Sequence, residues 1–225
     1  MSSSRIDQFQ DLHIPVVGIV GGVGAGKSTV VRNVSDLKLF VIDADRIGHE
    51  VLLTDQICRQ LRFAFGEDVF SEAGQVDRKR LADKVFGDSD EQIQNRNRLN
   101  EIIHPAIRTR IQHLISQAPQ DTDAIILDAA LLLEAGWADE CDAVIFIDAP
   151  VEQRQLRVAK NRGWSMHELQ RREVSQWSLP KKREAAQFVV DNSGSPGLAA
   201  EQMKLILERI CERHDPRRSE RNYEF

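Results

Sequence analysis

Five short apolar runs, largely β-branched, recur along the chain: Val16–Val20, Leu39–Ile42, Ala124–Leu127, Ala143–Ile147 and Phe188–Val190. None alternates apolar with polar positions; each is apolar throughout, as in strands covered on both faces. Helical stretches separate them, which predicts an α/β fold built on a five-stranded parallel sheet. Between the second and third runs lie about 80 residues without a strand signal. There Leu99, Ile102, Ile103, Ile107, Ile111, Leu114 and Ile115 recur at helical spacing, with Pro105 expected to interrupt the helix. The pattern divides the chain into a core of residues 14–50 and 120–212 and a helical insertion of residues 51–119. Ser165-Met-His-Glu168 has capping-box spacing. Ser195-Pro-Gly197 marks a loop before a last amphipathic helix through Leu198, Met203, Ile206, Leu207 and Ile210. The charged tail, residues 213–225, is expected to fray.

Composition narrows the class. At 225 residues, 41% hydrophobic and 29% charged, the chain matches an ordinary soluble protein of one domain, or one domain with an inserted piece. No apolar run approaches the roughly 18 residues of a membrane helix. Residues 1–13 are polar and lack the apolar stretch of a signal peptide. Cys58, Cys141 and Cys211 are widely spaced and odd in number, which fits neither a metal motif nor a disulfide framework. A cytoplasmic protein with reduced thiols is expected, and no membrane association.

The charge is uneven. Residues 151–183 hold nine basic and three acidic side chains, so this segment carries +6 and the remainder −11. A local basic segment on an acidic body suits a small anionic ligand better than nucleic acid, which usually wants a basic face. The alternative is a solvated helix face with ordinary i,i+4 pairs. Trp137, Trp164 and Trp177 read as packing residues.

One motif carries chemistry. Gly21-Gly-Val-Gly-Ala-Gly26-Lys27-Ser28 fits G-x-x-x-x-G-K-[ST], after the first strand and before a helix. Gly22, Gly24 and Gly26 let the backbone curl, so that N–H groups of Val23, Ala25 and their neighbours through Thr29 face anionic oxygens. The following helix adds its positive end. Lys27 reaches the β- and γ-phosphates and the Ser28 hydroxyl ligates Mg²⁺. A dinucleotide site is excluded, because G-x-G-x-x-G from Gly22 would need glycine at Lys27. Asp45-Arg-Ile-Gly48 and Asp191-Asn-Ser-Gly194 match the D-x-x-G of GTPases, but no N-K-x-D for guanine exists.

The second strand ends in Asp43-Ala-Asp45, and extended alternation would put both carboxylates on one side. One would help hold Mg²⁺ and the other accept a proton from an attacking hydroxyl. The alternative is an N-cap followed by a first-turn acid. Asp128, closing the third strand, is a second candidate Mg²⁺ contact.

Beyond the loop, further motifs stand in order: Phe65-Gly66, Gly74-Gln-Val-Asp77-Arg78, Leu81-Ala82, Val85-Phe86, Leu99-Asn100, Ile102-Ile-His104-Pro105, Leu131-Leu-Leu-Glu134, Arg172-x-x-x-Gln176 and Val189-Val-Asp-Asn-Ser-Gly194. Over roughly residues 16–200 the chain resembles the dephospho-CoA kinase family of P-loop kinases. The resemblance implies a five-stranded parallel P-loop kinase core, a helical CoA-binding insertion and a mobile helical lid over residues 151–180. It implies ATP and Mg²⁺, and phosphorylation of the ribose 3′-hydroxyl of dephospho-CoA, a small-molecule acceptor, with no obligatory protein partner. By motif, Asp45 would be the catalytic base, Asp43 a supporting acid, His104 a neighbour of the acceptor and Asn192 a neighbour of adenine. Arg154, Arg157 and Arg162 are the lid arginines from which a contact to the transferring phosphate would come, with Arg157 and Arg162 taken as catalytic. The family usually has proline where Ala130 stands. Two rivals remain: a P-loop kinase acting on a nucleoside or its monophosphate, which shares every bottom-up feature, and a nucleotide-dependent switch with little turnover, against which the missing guanine motif and the dense basic segment count.

Overall fold

The computed structural model describes residues 13–87 and 89–214. The expected absence of a leader and nearly all of the charged tail therefore lie outside the described residues; Arg213 and His214 themselves are helical. Two compact units are present: one is formed by the chain up to Val41 together with the chain from Ala118 onward, the other by Ile42–Gln117.

The sheet of the first unit is parallel and ordered β2-β3-β1-β4-β5. Its strands are β1 (Val16–Gly21), β2 (Leu39–Asp43), β3 (Ala124–Asp128), β4 (Ala143–Asp148) and β5 (Phe188–Asp191). Every strand runs one residue past its apolar run, onto glycine or aspartate. Main-chain pairing does not depend on the side chain, so it continues after the reason for burial has stopped. β1 pairs with β3 on one side, Ile19 opposite Asp128, and with β4 on the other, Gly21 opposite Ile147. The connection from β1 leads towards β2, whereas that from β3 leads the other way, to β4. Adjacent strands whose connections diverge leave a crevice at their carboxyl ends, the usual ligand position in such sheets.

One sheet face packs on α1 (Lys27–Arg32) and α9 (Pro196–His214). Val17, Ile19, Val30, Ile126, Ile145, Met203, Leu207 and Ile210 form this core. β1 and β4 also contact α8 (Leu179–Ala185), which follows α6 (Val151–Arg162) and α7 (Met166–Val174). The capping signal at Ser165 is used: its hydroxyl accepts the Glu168 N–H at 3.2 Å.

The second unit is helical, with α2 (Ala44–Val51), α3 (Asp55–Phe65), α4 (Arg78–Val85) and α5 (Asp90–Ser116), α5 packing against each of the others. Its only described β-pairing is an isolated bridge between Phe70 and Val76. Contrary to the expected interruption, α5 continues through Pro105. Pro105 and Glu101, whose carbonyl loses its i+4 donor, are both exposed, so the lost bond falls on the solvent side of the helix. On the other side Leu99, Ile107 and Ile111 are buried and keep the helix seated.

The acidic pair after β2 is also arranged differently from the extended reading. The strand stops at Asp43, which is the N-cap of α2 and accepts the Arg46 N–H at 2.9 Å, and Asp45 lies in the first helical turn. Helical rise and rotation replace alternation, so the same-side argument does not hold. Asp43→Ala should cost about 0.5–2 kcal/mol of stability, read as a lowered denaturation midpoint.

Candidate active site

The loop from Gly21 to Lys27 leaves β1 and enters α1. Gly24 and Gly26 have φ of 77° and 90°, a region L side chains rarely adopt. Space forbids a side chain as well: a Cβ on Gly24 would stand 2.7 Å from the Arg154 carbonyl oxygen, and one on Gly26 2.6 Å from Asn192 Nδ2. The loop is thus built against α6 and the residue after β5.

Three side chains grip it from below. Arg154, only 4% exposed, donates from Nη1 to the Val23 carbonyl at 3.2 Å and pairs with Glu173. Arg157 donates to the Ala25 carbonyl at 3.0 Å, to Gln153 Oε1 at 3.0 Å and to the Asn192 carbonyl at 2.9 Å. Asn192, 3% exposed, donates from Nδ2 to the same Ala25 carbonyl at 2.7 Å, while its own N–H donates to the Asp148 carbonyl at 2.7 Å. With its carbonyls held from beneath, the loop is biased to present N–H groups on its open side.

Ser28 and Asp128, predicted separately, meet. The Ser28 hydroxyl donates to Asp128 Oδ2 at 2.7 Å, joining the start of α1 to the end of β3. The three arginines expected in the lid separate. Arg154 and Arg157 hold the loop, whereas Arg162 lies 4.7 Å over the ring of Trp164, with Arg172 over the same ring at 4.1 Å. Much of the basic segment is thus paired within the protein, Arg171 and Arg172 with Glu168 and Arg183 with Asp148 among them.

One cluster was visible in the sequence only as unassigned motif positions. Lys182, 1% exposed, places Nζ 2.8 Å from Gln176 Oε1, 3.0 Å from the Ala130 carbonyl and 3.2 Å from Glu134 Oε1. Glu134 Oε1 also accepts the Trp177 N–H at 2.6 Å, and its Oε2 is buried with no hydrogen-bond partner among the described residues. Burial lowers the Lys182 pKa below the ordinary lysine value; the carboxylate of Glu134 opposes this, and the charge of Lys27 adds to the lowering. The loop at Ala130 is therefore fixed by a buried cation on its carbonyl. The sequence signal was only that Glu134 and Gln176 each close a motif of the resemblance; nothing local singled out Lys182 among its basic neighbours.

Asp43, Asp45 and His104 belong to the second unit. Asp43 and Asp45 are exposed on α2, and His104 is half-buried in α5, where burial lowers its pKa below the ordinary histidine value and favours neutral imidazole. Burial pushes the Cys141 thiol up to about 12, helped by the carboxylates of Asp142 and Glu140. This thiol is inert at neutral pH.

Residues 15–197 match the family model described as dephospho-CoA kinase. The chain belongs to the dephospho-CoA kinase family. The dephospho-CoA kinase of Thermobifida fusca is 37% identical over 180 residues, covering 80% of this chain and 88% of that protein. That of Rhodopirellula baltica is 33% identical, covering 86% and 88%. A crystal structure from Thermus thermophilus superposes with a TM-score of 0.74 at 29% identity, over 88% of this chain and 98% of that one. Membership in this family makes the protein a nucleotide-binding phosphotransferase, with ATP a substrate rather than a resident cofactor. Among the described residues no helix is long and apolar enough to cross a membrane.

Proposed function

We propose that the chain transfers the γ-phosphoryl group of ATP to the ribose 3′-hydroxyl of dephospho-CoA, giving CoA and ADP. The observation that carries this is the match of residues 15–197 to a single kinase family. The glycine loop, with its carbonyls held from beneath and Lys27 at its exit, agrees with it.

In this reading the loop N–H groups and Lys27 bind the phosphates, and Lys27 offsets the charge that grows on the transferring group. Transition states of this kind are loose, so positioning and electrostatics supply most of the rate. Arg157, Arg154 and Asn192 act on the loop: they fix its curvature before ATP arrives, which avoids reorganisation during the reaction. Asp45 accepts or orients the proton of the 3′-hydroxyl, with Asp43 in support and His104, as neutral imidazole, beside the acceptor. Helices α6 and α7 form the lid, which excludes water as a competing acceptor.

Ser28 Oγ and Asp128 Oδ2, 2.7 Å apart, are hard oxygen donors of the kind Mg²⁺ takes alongside phosphate oxygens and water. They are the residues that would hold it. When bound, Mg²⁺ supplies a Lewis acid for the β- and γ-phosphoryl oxygens. A cytoplasmic location agrees with reduced thiols and with a soluble acceptor.

The test is ADP release from Mg·ATP with and without dephospho-CoA, with mass analysis of the acceptor. Acceptor-dependent release and a product heavier by one phosphoryl group are expected. Release indifferent to dephospho-CoA would overturn the assignment, and a panel of nucleosides and nucleoside monophosphates would then identify a rival acceptor. Lys27→Ala should lower kcat by about 10²–10³, the usual loss when one charge-stabilising group is removed from a preorganised site. Unchanged single-turnover rates in that variant would remove Lys27 from the transition state.

A further inference from the structure

At the amino ends of β1 and β4, opposite to the glycine loop, three side chains from distant parts of the chain converge. His13 precedes β1, Asp142 precedes β4 and His214 is the last residue of α9. His13 Nε2 lies 3.0 and 2.9 Å from the two carboxylate oxygens of Asp142, and the rings of His13 and His214 have centroids 5.3 Å apart. One donor atom from each residue lies within 4.8 Å of the other two. The carboxylate is oriented by the main chain: Val16 N–H donates to Asp142 Oδ2 at 2.7 Å, and the Asp142 N–H returns to the Val16 carbonyl at 2.8 Å.

From this convergence we propose a second, structural metal site: His13, Asp142 and His214 bind a divalent d-block cation, with Zn²⁺ as its type. Two imidazoles and one carboxylate are a borderline donor set that favours Zn²⁺, Co²⁺, Ni²⁺ or Cu²⁺ over Mg²⁺ or Ca²⁺. In a tetrahedral zinc site with bonds of about 2.0–2.2 Å, neighbouring ligand atoms stand about 3.3–3.6 Å apart. The His13–Asp142 pair opens by a few tenths of an ångström to admit the ion, and His214 closes in from the helix end. Water completes the fourth position. The Val16 N–H orients the carboxylate as an outer partner does in established sites.

The site's effect is a clasp. It joins the residues before the central strand to the end of α9, the helix that covers one sheet face. A cation that binds the folded chain and not the unfolded one stabilises it by mass action. The site lies at the opposite ends of the strands from Lys27 and Ser28, so turnover with Mg·ATP does not depend on it.

The experiment uses the full chain without an affinity tag, stripped with EDTA. Zn²⁺ is titrated calorimetrically, and Co²⁺ is added separately to read its visible absorption. One Zn²⁺ per chain, a Tm that rises with Zn²⁺, and a Co²⁺ spectrum displaced by Zn²⁺ are expected. Loss of even an outer partner weakens metal sites by about 10–100-fold, so His13→Gln and His214→Gln should each weaken Zn²⁺ by at least that much. Both variants should keep the parent turnover and the parent metal-stripped Tm. Asp142→Asn, which keeps an acceptor for Val16 N–H, should weaken Zn²⁺ as well. Equal Zn²⁺ affinity in the parent and the His13→Gln/His214→Gln double variant would overturn the proposal, as would Zn²⁺ binding abolished by Cys58→Ser alone.

Discussion

Asp45→Asn should turn over about 10²–10⁴-fold more slowly, the range for loss of a general base, with ATP binding preserved. The substitution keeps the shape of the side chain and removes its ability to accept a proton. The N-cap bond of α2 belongs to Asp43, and Ala44, Ile47 and Val51 seat the helix, so α2 keeps its cap and its apolar face in this variant. A first-turn carboxylate contributes only about 0.3–1 kcal/mol to a helix. Steady-state kinetics and a melting curve on the same preparation make the measurement. Asp43→Ala is the control with the opposite signature: a lowered midpoint and a smaller kinetic effect. Near-normal kcat in Asp45→Asn would leave Asp45 as a helix-end acid and send the base assignment elsewhere.

Lys182→Met should destabilise the protein by about 3–5 kcal/mol, the cost of leaving a buried charge without its partner. In a chain of this length that lowers Tm by roughly 6–20 °C. Methionine fills much of the lysine's volume, so the loss is electrostatic. It strands Glu134, whose Oε1 keeps only the Trp177 N–H and whose Oε2 is already without a partner among the described residues. Adding Glu134→Gln should recover much of the stability, since an ion pair and its neutral replacement are often close in free energy. Strictly additive losses would show that the two residues act independently. The pH dependence has a definite sign. Lys182 holds its proton less tightly in the folded protein than in the unfolded chain. Its ionisation therefore subtracts stability at neutral pH, and the penalty is relieved as pH rises through the lowered pKa towards the unfolded value. Lys182→Met/Glu134→Gln should lack that alkaline component in its stability profile.

These two variants probe different levels of what the chain encodes. The position of Asp45 was legible because the second apolar run ends directly before Asp43-Ala-Asp45; its conformation was not, since the same three residues read either as extended or as a cap and a first turn. Pro105 shows the same limit. A proline signals a break locally, but buried Leu99, Ile107 and Ile111 on the opposite face outweigh one missing hydrogen bond turned to water.

By itself the sequence determined the five strands, because unbroken β-branched runs have nowhere stable to lie except between two covering layers. It determined the glycine loop too, since glycines at fixed spacing before Lys27 satisfy a backbone requirement within eight residues. Tertiary structure alone decided the strand order, with the connections of β1 and β3 leading opposite ways, and everything that holds the loop in shape. Ser28 meets Asp128 across 100 positions, Arg157 reaches Ala25 across 132 and Asn192 reaches it across 167. It also turned Lys182 from one cation in a basic stretch into the buried partner of Glu134. Such contacts leave no local pattern. A hydrogen bond at long separation asks only that two compatible groups arrive together, and many residues in the chain are compatible until packing selects the pair.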